Sequence, residues 1–341
     1  MIGLKGKGIR TATVVAATAM LGLGAFLAMP EDAPAAGKIY QGKLYSATRG
    51  GHMVFTNITI DADRQMVSGS IAGRMPLPNN DGADAIELSH DKKTIYYPTW
   101  DSTLYTVDIS GDEPKVIAEK KWMKEVSKSC GSHMGPDGKL YLTSMSFGDI
   151  HVLDVDNPKE AKLMDRLYKT TYLCGVQVTA NKDEVWTTDM KESALYVYDA
   201  KTHKQKNKIE IGGEFLHRAR WSPNGERLYQ ASTGSMSPDA NGNFRIIDAK
   251  SKKITDKIVL GPNYDAHDVV LTPDEKYAIV AVRRVPAKEF KDSEYVVFNL
   301  ETKKSIGTIS MCAGCHNANG VDPEVKPGRE VFICGAQAVW K

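Results

Sequence analysis

From about residue 37 onward the chain is built of short apolar runs of four to six residues, rich in β-branched and aromatic side chains, each ended by a polar turn. Such runs predict strands, and no stretch in this region has a helical period. One unit recurs: an aromatic residue in an apolar run, a polar turn, then a second run ending in an acidic or amide turn-former. Its copies are KLYSATRGGHMVFTNI from Lys43, TIYYPTWDSTLYTVDI from Thr94, KLYLTSMSFGDIHVLDV from Lys139 and EVWTTDMKESALYVYDA from Glu184. Three more begin at Arg227, Lys276 and Glu330. The aligned aromatics are Tyr45, Tyr96, Tyr141, Trp186, Tyr229, Tyr277 and Phe332, spaced 51, 45, 45, 43, 48 and 55 residues apart.

Turn cues stand before most copies: Gly135-Pro136-Asp137-Gly138, Ser222-Pro223-Asn224-Gly225 and Thr272-Pro273-Asp274-Glu275. Proline presets φ for the turn, while Asn, Asp and Gly tolerate its tight geometry. About four antiparallel strands per 45-residue unit predict an all-β chain folded as a single β-propeller. Seven copies favour seven blades. Six is the alternative, since the first copy lacks a leading strand and the last lacks trailing strands, so the two ends could share one blade.

The first 36 residues do not fit this pattern. Lys5, Lys7 and Arg10 precede an uncharged, Ala-rich stretch from Thr11 to Met29, and Ala33-Pro34-Ala35 follows with small residues. This order predicts a signal peptide over 1–36 and a propeller over 37–341, hence export to the periplasm without a membrane span after cleavage. An uncleaved anchor is the alternative, because about 19 apolar residues can just cross a bilayer. The net charge of +2 falls to +1 when three basic and two acidic residues leave with positions 1–35. So balanced a charge, with no long basic run, excludes nucleic acid as a partner suggested by composition. Five cysteines in 341 residues are too few for a disulfide scaffold.

Two cysteine arrangements carry candidate chemistry. Cys312, Cys315 and His316 form C-x-x-C-H, the attachment sequence for one covalent haem c, in which two thiols add to the vinyl groups and the imidazole ligates iron. A local disulfide or another metal are the alternatives for these thiols. The second arrangement comes from the repeat. Five residues before the start of each turn cue stand Asp84, Cys130, Cys174, His217 and His267, with Ser89, Gly135, Thr179, Ser222 and Thr272 as reference points. Equivalent positions of a propeller converge on its central channel. This ring is therefore a candidate site for a second metal or a tetrapyrrole, or for a small-molecule substrate. A disulfide between Cys130 and Cys174 is the structural alternative. His316 is placed at the corresponding point of the last repeat, His133 three residues beyond Cys130, and His52 in the first blade's turn, while Cys334 is a buried core residue of a strand. Arg218, Arg220, Arg283 and Arg284 lie close to the ring, where they could hold an anion; pairing with Asp265 and Asp268 is the favoured alternative.

Stretches such as HDVVLTPDEKYAIVAV and HRARWSPNGERLYQAS resemble the YVTN-type repeat propellers of exported bacterial proteins, over residues 38–341. That superfamily includes the haem d1 propeller of nitrite reductases, heavy subunits of quinone-dependent amine dehydrogenases and the propeller subunit of hydrazine synthase. The resemblance implies a periplasmic propeller and leaves the activity open, because one fold hosts many functions. With the haem motif, the expected role is electron transfer as a subunit or redox partner of a complex acting on small inorganic, for example nitrogen, compounds. The alternatives are a non-catalytic scaffold in a multi-haem complex and an oxidoreductase using a channel-bound metal or tetrapyrrole.

Overall fold

The computed structural model describes residues 37–78, 82–122, 129–168, 170–212, 214–233, 241–261, 264–284, 291–311 and 333–341. The expected signal peptide and the C-x-x-C-H motif lie outside these residues. Among them no helix is long and apolar enough to cross a membrane. The sole helical turn there is a 3-10 turn at Pro158–Glu160.

Among the described residues twenty-four strands form six four-stranded antiparallel sheets. Blade 1 contains β1 (Ile39–Thr48), β2 (His52–Asp61) and β3 (Met66–Pro76), and blade 2 contains β4 (Glu87–Leu88), β5 (Thr94–Pro98), β6 (Thr103–Asp108) and β7 (Lys115–Lys121). Blade 3 runs from β8 (Ser129–Met134) through β9 (Leu140–Ser144) and β10 (Ile150–Asp154) to β11 (Lys162–Leu167). Blade 4 follows with β12 (Leu173–Val178), β13 (Glu184–Asp189), β14 (Ala194–Asp199) and β15 (Gln205–Glu210). Blade 5 comprises β16 (Phe215–Trp221), β17 (Arg227–Thr233), β18 (Gly242–Asp248) and β19 (Lys253–Gly261). Blade 6 comprises β20 (Tyr264–Leu271), β21 (Tyr277–Arg284), β22 (Lys291–Asn299) and β23 (Lys304–Ser310).

The last strand, β24 (Ile333–Trp340), pairs with β1 and becomes the innermost strand of blade 1. That settles the blade number at six, not the favoured seven. Six of the aligned aromatics lie in second strands, but the copy at Glu330 is an innermost strand and adds no blade. The two chain ends do share one sheet, as the alternative required. Closure is reinforced by the C-terminal indole, Trp340 Nε1 donating to Leu271 O at 2.9 Å, and by Lys38 and Tyr40 donating to Asp274.

Each blade presents an apolar face to the next, and the buried residues cluster at the blade interfaces, with two separate clusters between blades 3 and 4. The interface of blades 6 and 1, for example, packs Leu44, Val54 and Ile58 against Ile279, Tyr295 and Val297. The one between blades 4 and 5 packs Trp186, Leu195 and Val197 against Leu216, Leu228 and Ile247. Outer strands alternate exposed and half-buried positions, as in β7, because one of their faces meets water.

The hairpin from first to second strand recurs in five blades, with the turn of blade 3 one residue shorter than the others. Ser89, Gly135, Thr179, Ser222 and Thr272 each donate their amide across the turn, at 2.8–3.0 Å. Each such turn contains a left-handed residue: Lys92, Gly138, Lys182, Gly225 or Glu275. This is why counting back from the turn finds equivalent positions on every innermost strand.

Candidate functional site in the central channel

Four of the five sequence-identified ring residues lie in first strands, and Asp84 lies just ahead of β4. All are buried: Asp84, Cys130, Cys174, His217 and His267 expose between 0% and 4% of their surface. A shared irregularity explains their convergence. In β8, β12, β16, β20 and β24 the pairing register to the second strand shifts at or beside the ring residue, so one extra residue is inserted there. Such bulges bend the strand and re-aim a side chain.

The bulge in β24 contains Cys334, which is the sixth ring member. The expected core cysteine is indeed buried, at 0% exposure, but it occupies the ring position that the sequence reading gave to His316. A signal for it is present in the sequence: Cys130-Gly131, Cys174-Gly175 and Cys334-Gly335 repeat the same dipeptide. The glycines are required by neighbouring backbone. A Cβ at Gly131 would stand 2.0 Å from Cys174 O, one at Gly175 would stand 3.1 Å from His217 O, and one at Gly335 would stand 2.8 Å from Asp84 O. Each glycine thus lets the next blade's inner strand approach.

Around the ring the contacts run in blade order. Cys130 and Cys174 form a disulfide with Cα atoms 4.7 Å apart, the outcome that the structural alternative anticipated. Cys174 Sγ lies 3.4 Å from His217 Nδ1, and the His217 and His267 rings meet edge to face with centroids 4.1 Å apart. Arg283 donates to Cys334 Sγ, and its Nε donates to Ile333 O at 3.2 Å. Arg49 binds Asp84 through two hydrogen bonds of 2.9 and 3.0 Å. Burial alone would raise the Asp84 carboxyl, but Arg49, with Arg218 and Arg283 nearby, holds it well below the usual carboxylate range. Asp84 is therefore a counter-ion to arginine and not a free metal ligand.

Several groups here are unmet. Both ring nitrogens of His267, and Nε and Nη2 of Arg218, are buried without a hydrogen-bond partner among the described residues. Arg218 uses only Nη1, which reaches His267 O at 3.5 Å and Cys334 O. Burial drives the His217 and His267 imidazoles far below their ordinary pKa, and the nearby guanidinium groups push the same way. Both are neutral at pH 7. Burial raises the Cys334 thiol.

Slightly further along the same strands lies a second layer. Arg220 donates to Glu87 at 2.8 Å, to both carboxylate oxygens of Asp268 at 3.2 and 3.0 Å, and to Ala336 O at 3.2 Å. Gln337 and Ser132 also donate to Glu87, and the Ala336 amide to Asp268. This network joins the innermost strands of blades 1, 2, 3, 5 and 6. It realises the expected pairing of arginine with Asp268, at Arg220. His133 is half-buried, and desolvation of its ring lowers its pKa to about 3. His52 is buried at the start of β2, its Nδ1 3.1 Å from Gly50 O.

The described residues that flank 312–332 meet at Ser293 in β22. Met311 N donates to Ser293 O at 3.0 Å, and Ile333 N donates to Ser293 Oγ at 3.0 Å. Ser293 thus holds both flanking residues, and Cys334 follows immediately. The Met311 sulfur is engaged by the Thr56 hydroxyl at 3.1 Å.

No family model and no curated protein sequence matches the chain. Among solved structures, it is similar to hydrazine synthase of Kuenenia stuttgartiensis, with a TM-score of 0.52 and 19% identity over 67% of this chain. The likeness spans 66% of the hydrazine synthase chain. A protein of unknown function from Bacteroides caccae is similar over 88% of this chain and 99% of its own, with a TM-score of 0.59 and 9% identity. At such identities, and with 1538 solved chains matching, these comparisons establish the β-propeller fold and not an activity.

Proposed function

We propose that this chain is an exported propeller that carries one haem c and works in the periplasm as an electron-transfer subunit or partner of a redox complex. Cys312 and Cys315 hold the haem through thioether bonds, and His316 ligates its iron. The observation that carries the reading is the double anchor at Ser293. Met311 and Ile333, the described residues that flank 312–332, are both held by Ser293, and Ile333 directly precedes the ring thiol of Cys334. The engagement of Met311 by Thr56 fits a haem whose second ligand comes from elsewhere. The class of chemistry, small inorganic nitrogen compounds, is supported by the likeness to hydrazine synthase.

The test is export of the full chain from a host that matures c-type cytochromes, followed by haem staining of a denaturing gel and intact mass. The expected result is a stained band whose mass exceeds the polypeptide by one haem, lost in the Cys312→Ser/Cys315→Ser variant. A colourless protein of unmodified mass refutes the haem assignment. The scaffold reading is favoured by the ion network that ties five inner strands into a rigid hub. Replacing His217 and His267 with glutamine separates the two: loss of turnover with the complex intact indicates chemistry at the ring, and loss of assembly alone indicates scaffolding.

A further inference from the structure

We propose that the upper ring is a redox-gated site for a soft monovalent metal ion, copper(I), closed while Cys130 and Cys174 are joined and open once they are reduced. The ligands are Cys130 Sγ, Cys174 Sγ and His217 Nδ1, with the neighbouring imidazole of His267 completing the set. This proposal does not depend on the haem assignment.

Geometry is the first ground. The two sulfurs and one imidazole nitrogen of His217 all lie within 4.8 Å of one another. In a tetrahedral centre with metal–sulfur and metal–nitrogen bonds of about 2.3 and 2.05 Å, neighbouring ligand atoms stand about 3.6 Å apart. Cys174 Sγ and His217 Nδ1 are 3.4 Å apart, so that edge is already close to ligand spacing. His267 supplies the second ground. It exposes 3% of its surface, touches His217 edge to face, and has two ring nitrogens without a partner. A buried polar group left unmet costs free energy, so its retention calls for a ligand.

Charge chooses among metals. Arg49, Arg218 and Arg283 surround the ring, and Asp84 is committed to Arg49. Two thiolates with a divalent ion give a neutral centre, whereas two thiolates with a monovalent ion give a net charge of −1. The guanidinium edge of Arg218, whose Nε and Nη2 have no partner among the described residues, favours the anionic centre. Thiolate and imidazole donors without a carboxylate also suit copper(I).

The gate is a thiol–disulfide exchange. A dithiol reductant attacks one sulfur of the Cys130–Cys174 bond as its thiolate, the S–S bond breaks, and a mixed disulfide forms. The reductant's second thiolate then displaces the protein sulfur and leaves with both sulfurs oxidised to its own disulfide. The two protein sulfurs, now reduced by two electrons, take up two protons as thiols. Metal binding releases those protons and forms two metal–sulfur bonds.

The experiment loads the full-length exported protein with copper(I) from a chromogenic copper(I) chelator, before and after reduction by a phosphine that is then removed. Expected is one copper per reduced chain and none per oxidised chain. The stoichiometry is unchanged in the Cys312→Ser/Cys315→Ser variant, which removes the haem motif as a competing thiol pair. Cys174→Ser and His217→Gln each weaken binding beyond the roughly 10–100-fold that loss of an outer partner causes. Because these variants could misfold, X-ray absorption on the wild-type copper form is read alongside: two sulfur neighbours with nitrogen are expected. Equal uptake by the oxidised protein, no uptake by the reduced one, or an absorption spectrum without sulfur overturns the proposal. Preference for zinc in direct competition overturns its charge argument.

Discussion

The two layers of the channel draw on largely the same inner strands and each contains a buried arginine, but they finish their hydrogen bonding differently. In the lower layer Arg220 employs Nε, Nη1 and Nη2, and Glu87 and Asp268 accept from several elements at once. In the upper layer Arg218 leaves Nε and Nη2 unmet, and His267 leaves both nitrogens unmet. A completed buried network rigidifies a structure, whereas an incomplete one costs free energy that folding alone does not return. The lower layer is therefore a hub that locks blades together, and the upper layer is kept open for a ligand. Perturbing each in turn tests that division.

The largest effect belongs to the hub. Arg220→Ala strands Glu87 and Asp268 as buried carboxylates, and breaking such pairs costs about 3–5 kcal/mol. Denaturant unfolding should show that loss, while Arg218→Met in the upper layer should be close to neutral. Comparable losses from the two would collapse the distinction. Next comes the disulfide, whose loop has a sequence separation of 44. The chain-entropy model puts its contribution at up to about 4 kcal/mol. Reduction should lower the unfolding midpoint by that order, and a stoichiometric copper(I) load should restore part of it, since a ligand that binds only the folded state stabilises it.

Acid should act through the imidazoles. His133, His217 and His267 have folded-state pKa values depressed below that of the unfolded chain, His133 to about 3. The unfolded chain binds protons first, so stability is full above about pH 6.5 and falls as pH drops through that value. Between pH 6.5 and 5.5 each imidazole removes about 1 kcal/mol. Glu87, raised by burial, acts in the opposite sense: the folded state takes up its proton first, so this group adds stability as pH falls from its raised value to the ordinary carboxylate value. The His217→Gln/His267→Gln variant should retain about one third of this slope; an unchanged slope would mean that these rings are not neutral in the folded state. Gly131→Ala comes below this, at about 1–3 kcal/mol for overpacking, because the new Cβ would meet a backbone oxygen that cannot swing away.

The sequence exposes the repeat because every blade needs the same alternation and the same turn. It exposes five ring positions because those turns fix the distance to Asp84, Cys130, Cys174, His217 and His267. What misled the blade count was one aromatic: Phe332 falls near the period of the second-strand aromatics, yet the strand after it is a first strand paired with β1. Pairing across the chain ends is a long-range event that local pattern does not encode. The same misalignment hid Cys334. Nor does spacing reveal the bulges, the Arg49 clamp on Asp84 or the unmet edge of Arg218, since each depends on contacts between blades.

Cys334 sets the smallest test. It sits opposite Cys174 in blade order, but its sulfur is taken by Arg283, which also holds Ile333 O. Cys334→Ser keeps the side-chain volume and offers the same guanidinium an acceptor. It should therefore change stability by less than about 1 kcal/mol, within the range of conservative core exchanges. In the native protein this thiol is fully buried and its pKa is raised, so it should resist thiol reagents until denaturant is added. A copper(I) affinity unchanged in Cys334→Ser would confine the site to the Cys130, Cys174 and His217 side of the ring. A large loss would bring Cys334 into the ligand set and extend the open layer across the whole channel.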